Sequence, residues 1–143
     1  MAKSIDLVEE ALLPGQHFPH MRIGHGLYCA SLKSNQGKAL LARIKQHNIT
    51  LEFQLTSNVR LNNIIDLNTH PLKSYLRHGI GCVMGTDGYG LYGTDSIDEQ
   101  LALENFLRIT PEEFMQMKEA ENAILDRQDR SFLRKSGAFA QAL

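Results

Sequence analysis

The chain has 143 residues, and its 15 Lys and Arg against 16 Asp and Glu give a formal net charge of −1. Because the positive and negative charges are nearly equal in number, there is no electrostatic reason to expect a nucleic-acid polymer or an anionic membrane surface as partner. The only two cysteines, Cys29 and Cys82, lie far apart beside apolar residues, a pattern that favours reduced thiols over a disulfide framework. No apolar run could span a bilayer and the first residues lack a secretion-signal core, so we expect a soluble, cytoplasmic, single-domain protein over residues 1–143.

The first half of the chain predicts a helix, a strand, a second helix and a second strand. Ser4 is placed to cap a helix that Pro14 ends, and a short strand follows at 21–23. Residues 36–47 carry apolar side chains at helical spacing. Residues 49–55 alternate strictly between apolar and polar side chains, which predicts a strand followed by small polar residues and a loop.

The second half predicts a third strand between helices. His70-Pro71 opens a short helix, and residues 80–84 form the next strand. Residues 96–99 and 110–113 each fit a capping box at the start of a further helix. We expect the tail after Arg130 to fray.

The order helix, strand, helix, strand, helix, strand, helix, helix predicts an α/β fold with right-handed crossovers and a parallel sheet. Polar side chains follow all three strands: His25 between two glycines, then Thr56-Ser57-Asn58, then Asp87. An isolated Gly-His-Gly is more typical of an ordinary glycine turn than of a site. The carboxyl ends of parallel strands, however, meet at the edge where α/β proteins bind ligands, so the three together favour a functional site.

Several segments of the chain carry a recognisable pattern from about Arg22 onward. They are Arg22-Ile23-Gly24-His25-Gly26, Leu51-Glu52-Phe53-Gln54-Leu55-Thr56-Ser57-Asn58, His70-Pro71, Gly85-Thr86-Asp87, and Glu121-Asn122-Ala123 with Ser131-Phe132. In their order and spacing they resemble the adenosine/AMP deaminase family of zinc hydrolases. The resemblance implies that the three strands are the last three of a (β/α)8 TIM barrel, incomplete here because that fold typically takes about 250 residues.

The resemblance also implies roles for individual residues. His25 matches the family's catalytic histidine beside the zinc-bound water, and Asp87 matches an aspartate that ligates zinc. Ser57 and Asn58 match a motif that shapes the substrate pocket. Gly88 occupies a substrate-binding position where the family has an aspartate that helps hold the purine, so the implied ligand is a purine nucleoside or nucleotide of open identity. Zinc would lower the pKa of its bound water toward neutrality.

The family's other zinc ligands and its proton-donating glutamate lie upstream of the matched region, and the chain contains no His-x-His. Zinc takes three or four protein ligands, and the resemblance supplies one, Asp87. Gln54 and Leu55 stand where the family has Cys-Pro, a change that we expect to be tolerated.

Two hypotheses follow. In the first, the chain is part of a zinc-dependent aminohydrolase that deaminates an adenine nucleoside or nucleotide when a missing upstream segment or a partner chain completes the barrel. In the second, it is a catalytically inactive α/β module that binds a nucleotide or assembles into a homo-oligomer through its open sheet edges.

Overall fold

The computed structural model describes the backbone of residues 1–27 and 31–140, with side chains through residue 127. Its centre is a parallel sheet of three strands, β1 (Arg22–Ile23), β2 (Thr50–Phe53) and β3 (Cys82–Met84), in the order β1-β2-β3. Ile23 pairs with Leu51, and Leu51 pairs with Cys82. The prediction of an α/β fold built on a parallel sheet is confirmed.

Helices precede, connect and follow the strands. They are α1 (Ala2–Ala11), α2 (Asn35–Gln46), α3 (Leu55–Arg60), α4 (Leu72–Arg77), α5 (Tyr89–Tyr92), α6 (Ser96–Phe106) and α7 (Pro111–Ala140), with a 3-10 turn at Leu67–Thr69. Within the part of the chain that the structure describes, no helix has both the length and the apolar composition needed to cross a membrane.

The two faces of the sheet have opposite character. One face presents Leu51, Phe53 and Cys82, each with 0% exposure, and the ring of Phe53 lies 6.1 Å from that of Tyr75 on α4. The helices cover this face with apolar side chains that include Leu40, Leu41, Ile44, Leu72, Leu76, Leu103 and Met117. The other face carries the polar residues of β1 and β2. This division follows from the period of two in a strand, because a register shift by one residue would exchange the faces.

Cys82 is a free, fully buried thiol on the apolar face. Burial raises the pKa of this thiol to about 12, because the low-dielectric core disfavours the thiolate. The structure thus places Cys82 in the core as an unpaired cysteine, whereas Cys29 lies outside the described residues.

The second strand is shorter than the alternating pattern predicts. β2 ends at Phe53, and Leu55–Arg60 forms α3, so that Thr56-Ser57-Asn58 follows the carboxyl end of the strand but lies in a helix. The predicted extension of the strand to Leu55 was wrong, since Glu99 accepts hydrogen bonds from the backbone N–H groups of Leu55 and Thr56 and so stabilises the start of a helix there. This contact spans 44 residues, and a local pattern cannot reveal it.

Two predicted caps are also wrong. α1 begins at Ala2 with Met1 at its cap position, so Ser4 lies inside the helix. The capping box of α6 is shifted by one residue: Asp95 accepts from the backbone of Asp98 at 3.0 Å, and Asp98 accepts from the backbone of Asp95 at 3.1 Å. A carboxylate forms stronger hydrogen bonds to backbone N–H groups than a hydroxyl does, which favours Asp95 over Ser96.

The second capping box is confirmed at the start of α7. The Thr110 hydroxyl accepts from the backbone of Glu113 at 3.2 Å, and the Glu113 carboxylate accepts from the backbone of Thr110 at 3.0 Å. The backbone of α7 continues to Ala140, beyond the point at which the sequence predicts fraying.

Candidate functional site

His25 lies in a tight turn immediately after β1. Its φ of 64° is in the left-handed region, where a non-glycine residue costs about 1–3 kcal/mol and where functional sites often store strain. Gly26 follows with a φ of 55°, and a Cβ at that position would lie 2.6 Å from the ring of Phe53. Glycine is therefore required for the chain to pass this close to β2.

Among the described residues, two hydrogen bonds hold His25, one at its backbone and one at its ring. The backbone N–H donates to Gln54 Oε1 at 3.1 Å, and Nδ1 lies 2.8 Å from Asn58 Oδ1. Because an amide oxygen only accepts, Nδ1 carries the hydrogen, and Nε2 of the neutral ring keeps its lone pair. Nε2 has no hydrogen bond to any side chain or backbone group that the structure describes. When the ring is neutral, this contact favours the tautomer that can accept a proton at Nε2.

Gln54 connects the turn to the polar face of the sheet. This side chain is 4% exposed, accepts from His25 through Oε1, and donates from Nε2 to Glu52 Oε1 at 2.6 Å. Glu52 Oε2 in turn lies 3.4 Å from Nη1 of Arg22. Gly85 leaves room for this chain of contacts, because a Cβ there would lie 2.6 Å from Glu52 Oε1 and 2.9 Å from Gln54 Nε2. The three strands thus meet around one side chain, Gln54.

The predicted substrate-binding residues Ser57 and Asn58 are both fully buried on α3. The Ser57 hydroxyl donates to the carbonyl of Gln54 at 3.3 Å, and the backbone N–H of Asn58 donates to the same carbonyl at 3.1 Å. Asn58 Oδ1 is the acceptor for the ring of His25, while its Nδ2 has no partner among the described residues. Contact of either side chain with a substrate stays a prediction.

Asp87 and Gly88 follow β3 and therefore lie at the same edge of the sheet as His25. The Asp87 carboxylate is half-buried and has no hydrogen bond or ion pair with any residue in the described ranges. Gly88 is exposed at the start of α5, and nothing lies within 4 Å of the Cβ that another residue would place there. The position where the family resemblance implies an aspartate is therefore open.

The described residues do not form a zinc site by themselves. Nowhere in residues 1–27 and 31–127 do three or more His, Cys, Asp or Glu side chains gather as a metal would require. Asp87 has the free carboxylate that a ligand needs, but a single carboxylate does not hold zinc in a protein. A zinc site that used Asp87 would therefore need ligands from outside these residues as well.

Comparison with known families matches residues 2–136 to the family described as adenosine deaminase. The chain belongs to the adenosine deaminase family. An adenosine deaminase of Yersinia pseudotuberculosis is 33% identical over 115 residues, which cover 79% of this chain and 33% of that protein. One of Escherichia coli is 33% identical over 119 residues, covering 82% of this chain and 34% of its own. The chain spans about a third of the length of the curated relatives that it matches.

The sequence did not predict a role in the site for three residues that the structure places there: Glu52, Gln54 and Glu99. Glu52 and Gln54 occupy alternate positions of the same strand pattern as Thr50, which placed them on the polar face, yet nothing in the pattern singled them out as partners of His25. Glu99 was interpreted as part of a capping box and is instead fully buried against α3. Its position at the buried side of an otherwise exposed helix segment is visible only in the structure.

Proposed function

We propose that this chain supplies the His25 and Asp87 part of an adenosine-deaminase-type active site. The reaction is the hydrolytic deamination of an adenine nucleoside or nucleotide, carried out when an upstream segment or a partner chain completes the barrel. The observation that supports this most directly is the fixation of His25: its backbone N–H donates to Gln54, and its ring Nδ1 donates to Asn58. Such fixation at two points is what a proton-transferring group needs before substrate arrives.

The residues of this chain have distinct roles in the proposal. His25 Nε2 accepts a proton from the attacking water, and Asn58 stabilises the ring in the required tautomer. The free carboxylate of Asp87 would be one zinc ligand of the completed site, where the metal would supply Lewis-acid activation of the nucleophile. The remaining ligands would have to come from outside the described residues. Gly88 lacks the carboxylate that the family uses to hold the purine, which leaves the choice among adenine nucleosides and nucleotides open.

The three parallel strands correspond, in the proposal, to the last three of a (β/α)8 barrel. Two features support this assignment. The strand order follows the chain order with helical crossovers, as it does in such barrels. The helices cover the apolar face, whereas the polar face with Glu52 and Gln54 carries the site. The missing strands would add at the two open edges, at β1 and at β3.

Complementation tests the proposal. The chain is co-expressed with the part of the Yersinia enzyme that it does not match, and ammonia release from adenosine and AMP is measured together with bound zinc. We expect the chain alone to bind no stoichiometric zinc and to release no ammonia, and the pair to do both. His25→Gln in the pair should lower kcat by about 100-fold or more while zinc stays bound, since one general acid–base group contributes roughly 10²–10⁴-fold.

The matched control is His20→Gln, which removes an exposed histidine from the loop before β1. It should leave kcat unchanged. A copurifying pair that binds zinc but deaminates neither substrate would contradict the proposal. A chain that assembles with itself and ignores the complementing piece, or that binds a nucleotide without turnover, would support the inactive-module hypothesis.

A further inference from the structure

Glu99 is a buried carboxylate that the proposed chemistry does not use. Its side chain is on α6 with 0% exposure. Glu99 Oε2 accepts from the backbone N–H of Leu55 at 3.0 Å, both carboxylate oxygens lie 3.3 Å from the N–H of Thr56, and Oε1 accepts from the Thr56 hydroxyl. No cationic side chain in the described ranges pairs with this carboxylate. Its compensation for burial comes from the hydrogen-bond donors at the amino end of α3.

Those donors belong to the helix that holds the histidine. α3 has no side-chain cap of its own, because Gln54 occupies the cap position and directs its side chain to His25 and Glu52. The first N–H groups of a helix have no partners within it, so an external acceptor must satisfy them. Glu99 performs this function from a helix 44 residues away in sequence.

The same turn of α3 carries Asn58. Leu55 and Asn58 are three residues apart, so an acceptor that fixes the N–H of Leu55 also fixes the angle and position of Asn58. Asn58 Oδ1 then lies 2.8 Å from His25 Nδ1. A continuous path of hydrogen bonds and one helical turn therefore runs from Glu99 to the ring of His25.

We infer that Glu99 is a positioning residue: it anchors the amino end of α3 so that Asn58 selects the His25 tautomer with a free Nε2. The functional importance of that tautomer rests on the proposed deaminase function. Glu99 itself touches neither the histidine nor, in the proposal, the substrate. Substitution of Glu99 should change which ring nitrogen of His25 carries the hydrogen, even though His25 and its partner Asn58 are both retained.

The first measurement follows the ring without requiring catalysis. In ¹⁵N-histidine-labelled chain at pH 8, the imidazole ¹⁵N shifts report which nitrogen carries the hydrogen, and His25→Gln identifies the resonances of His25 by their loss. The wild type should show Nδ1–H as the dominant form. In Glu99→Gln, an amide NH₂ replaces one acceptor in front of the backbone donors, so α3 should shift and the Nε2–H form should become at least equally populated.

Glu104→Gln is the matched control. It removes a carboxylate from the same helix, where Glu104 is exposed and, among the residues that the structure describes, binds Gln100 alone, at 2.9 Å. This variant should keep the wild-type tautomer. Because Glu99→Gln can fail to fold, Thr56→Val provides a milder version: it removes the hydroxyl that donates to Glu99 and keeps both the side-chain volume and Glu99 itself. Thr56→Ser, which retains the hydroxyl, is its control.

A folded Glu99→Gln, or Thr56→Val if the former does not fold, with unchanged His25 shifts and only a lower unfolding midpoint would overturn the inference, since a purely structural cap predicts that result. In the complemented pair, Glu99→Gln should lower kcat by about 10- to 100-fold with KM changed less than about twofold, because small displacements of a catalytic group reduce turnover. The inference and the proposed function fail separately: altered tautomer shifts in a pair that never releases ammonia would support the former and contradict the latter.

Discussion

His70 is a buried histidine that the fold keeps neutral. It is 8% exposed, its Nδ1 accepts from the backbone N–H of Leu72 at 3.2 Å, and its ring lies 5.5 Å from that of Phe53. Burial lowers the pKa of His70 from 6.5 to about 4, because the core disfavours the charged ring. The unfolded chain therefore binds a proton at a higher pH than the folded chain does. Stability from this residue is complete above pH 6.5 and declines as the pH falls toward 4, by about 3 kcal/mol in total.

His70→Asn tests this acid sensitivity. The Asn side chain offers an oxygen to the N–H of Leu72 but does not titrate, so the variant should lose about 3 kcal/mol less of its unfolding free energy than the wild type between pH 7 and pH 4. Urea denaturation at a series of pH values measures the difference. His20→Asn, at an exposed position, should follow the wild type. Parallel pH curves for wild type and His70→Asn would show that burial of His70 does not control acid stability.

The amino end of α6 illustrates how far an element can be predicted from the sequence. The capping pattern located the helix, but the structure assigns the cap to Asp95 and Asp98. The side chain of each accepts a hydrogen bond from the backbone of the other across the first turn. Asp95→Ala should therefore lower the unfolding free energy by about 1 kcal/mol, whereas Ser96→Ala should change it by less than about 0.5 kcal/mol. Thermal unfolding followed by circular dichroism compares the two. Equal losses of unfolding free energy, or a larger loss for Ser96→Ala, would support Ser96 as the cap, as the sequence predicts.

Elements whose cause is local were predictable, and those with a distant cause were not. The periodicity of α2 and the Thr110–Glu113 box depend on neighbours within one or two turns, and both appear where the sequence places them. α3 depends on a carboxylate far along the chain, so its residues were assigned to a strand and a loop. The same distinction holds within the site. Motifs identified His25 and Asp87 as candidates, but the hydrogen bond from the backbone of His25 to Gln54 depends on how β1 pairs with β2.

At the scale of the whole molecule, the helices already cover the centre of the sheet's apolar face, while Ile23 and Met84 at its edges are partly buried. Cys82 belongs to β3, at one edge of the sheet, and still has 0% exposure. The part that would complete the barrel is therefore not required to cover the centre of this face. We expect the chain to fold as a cooperative unit before any partner binds, with the polar face and the two strand edges left for assembly.

Thiol labelling checks this cooperativity. Cys29→Ser leaves Cys82 as the only thiol. With its pKa raised from 9.0 to about 12, Cys82 has roughly 1000-fold less thiolate near pH 8, and the core excludes the reagent as well. The folded variant should react with an aromatic disulfide reagent only as fast as the whole chain unfolds, and the chain in denaturant should react at once. Rapid labelling in native buffer would mean that β3 opens locally, without global unfolding.

The polar contacts between the strands also have a consequence for assembly. Arg22 contacts Glu52, Glu52 accepts from Gln54, and Gln54 accepts from the backbone N–H of His25, so the contacts that accompany the native pairing of β1 with β2 also hold the backbone of His25. A slip of one residue would turn these side chains toward the helices and carry His25 away from Gln54. A misaligned chain could be folded and abundant yet catalytically silent. In a reconstituted sample, the measured turnover would therefore be proportional to the fraction of molecules that have the native strand register.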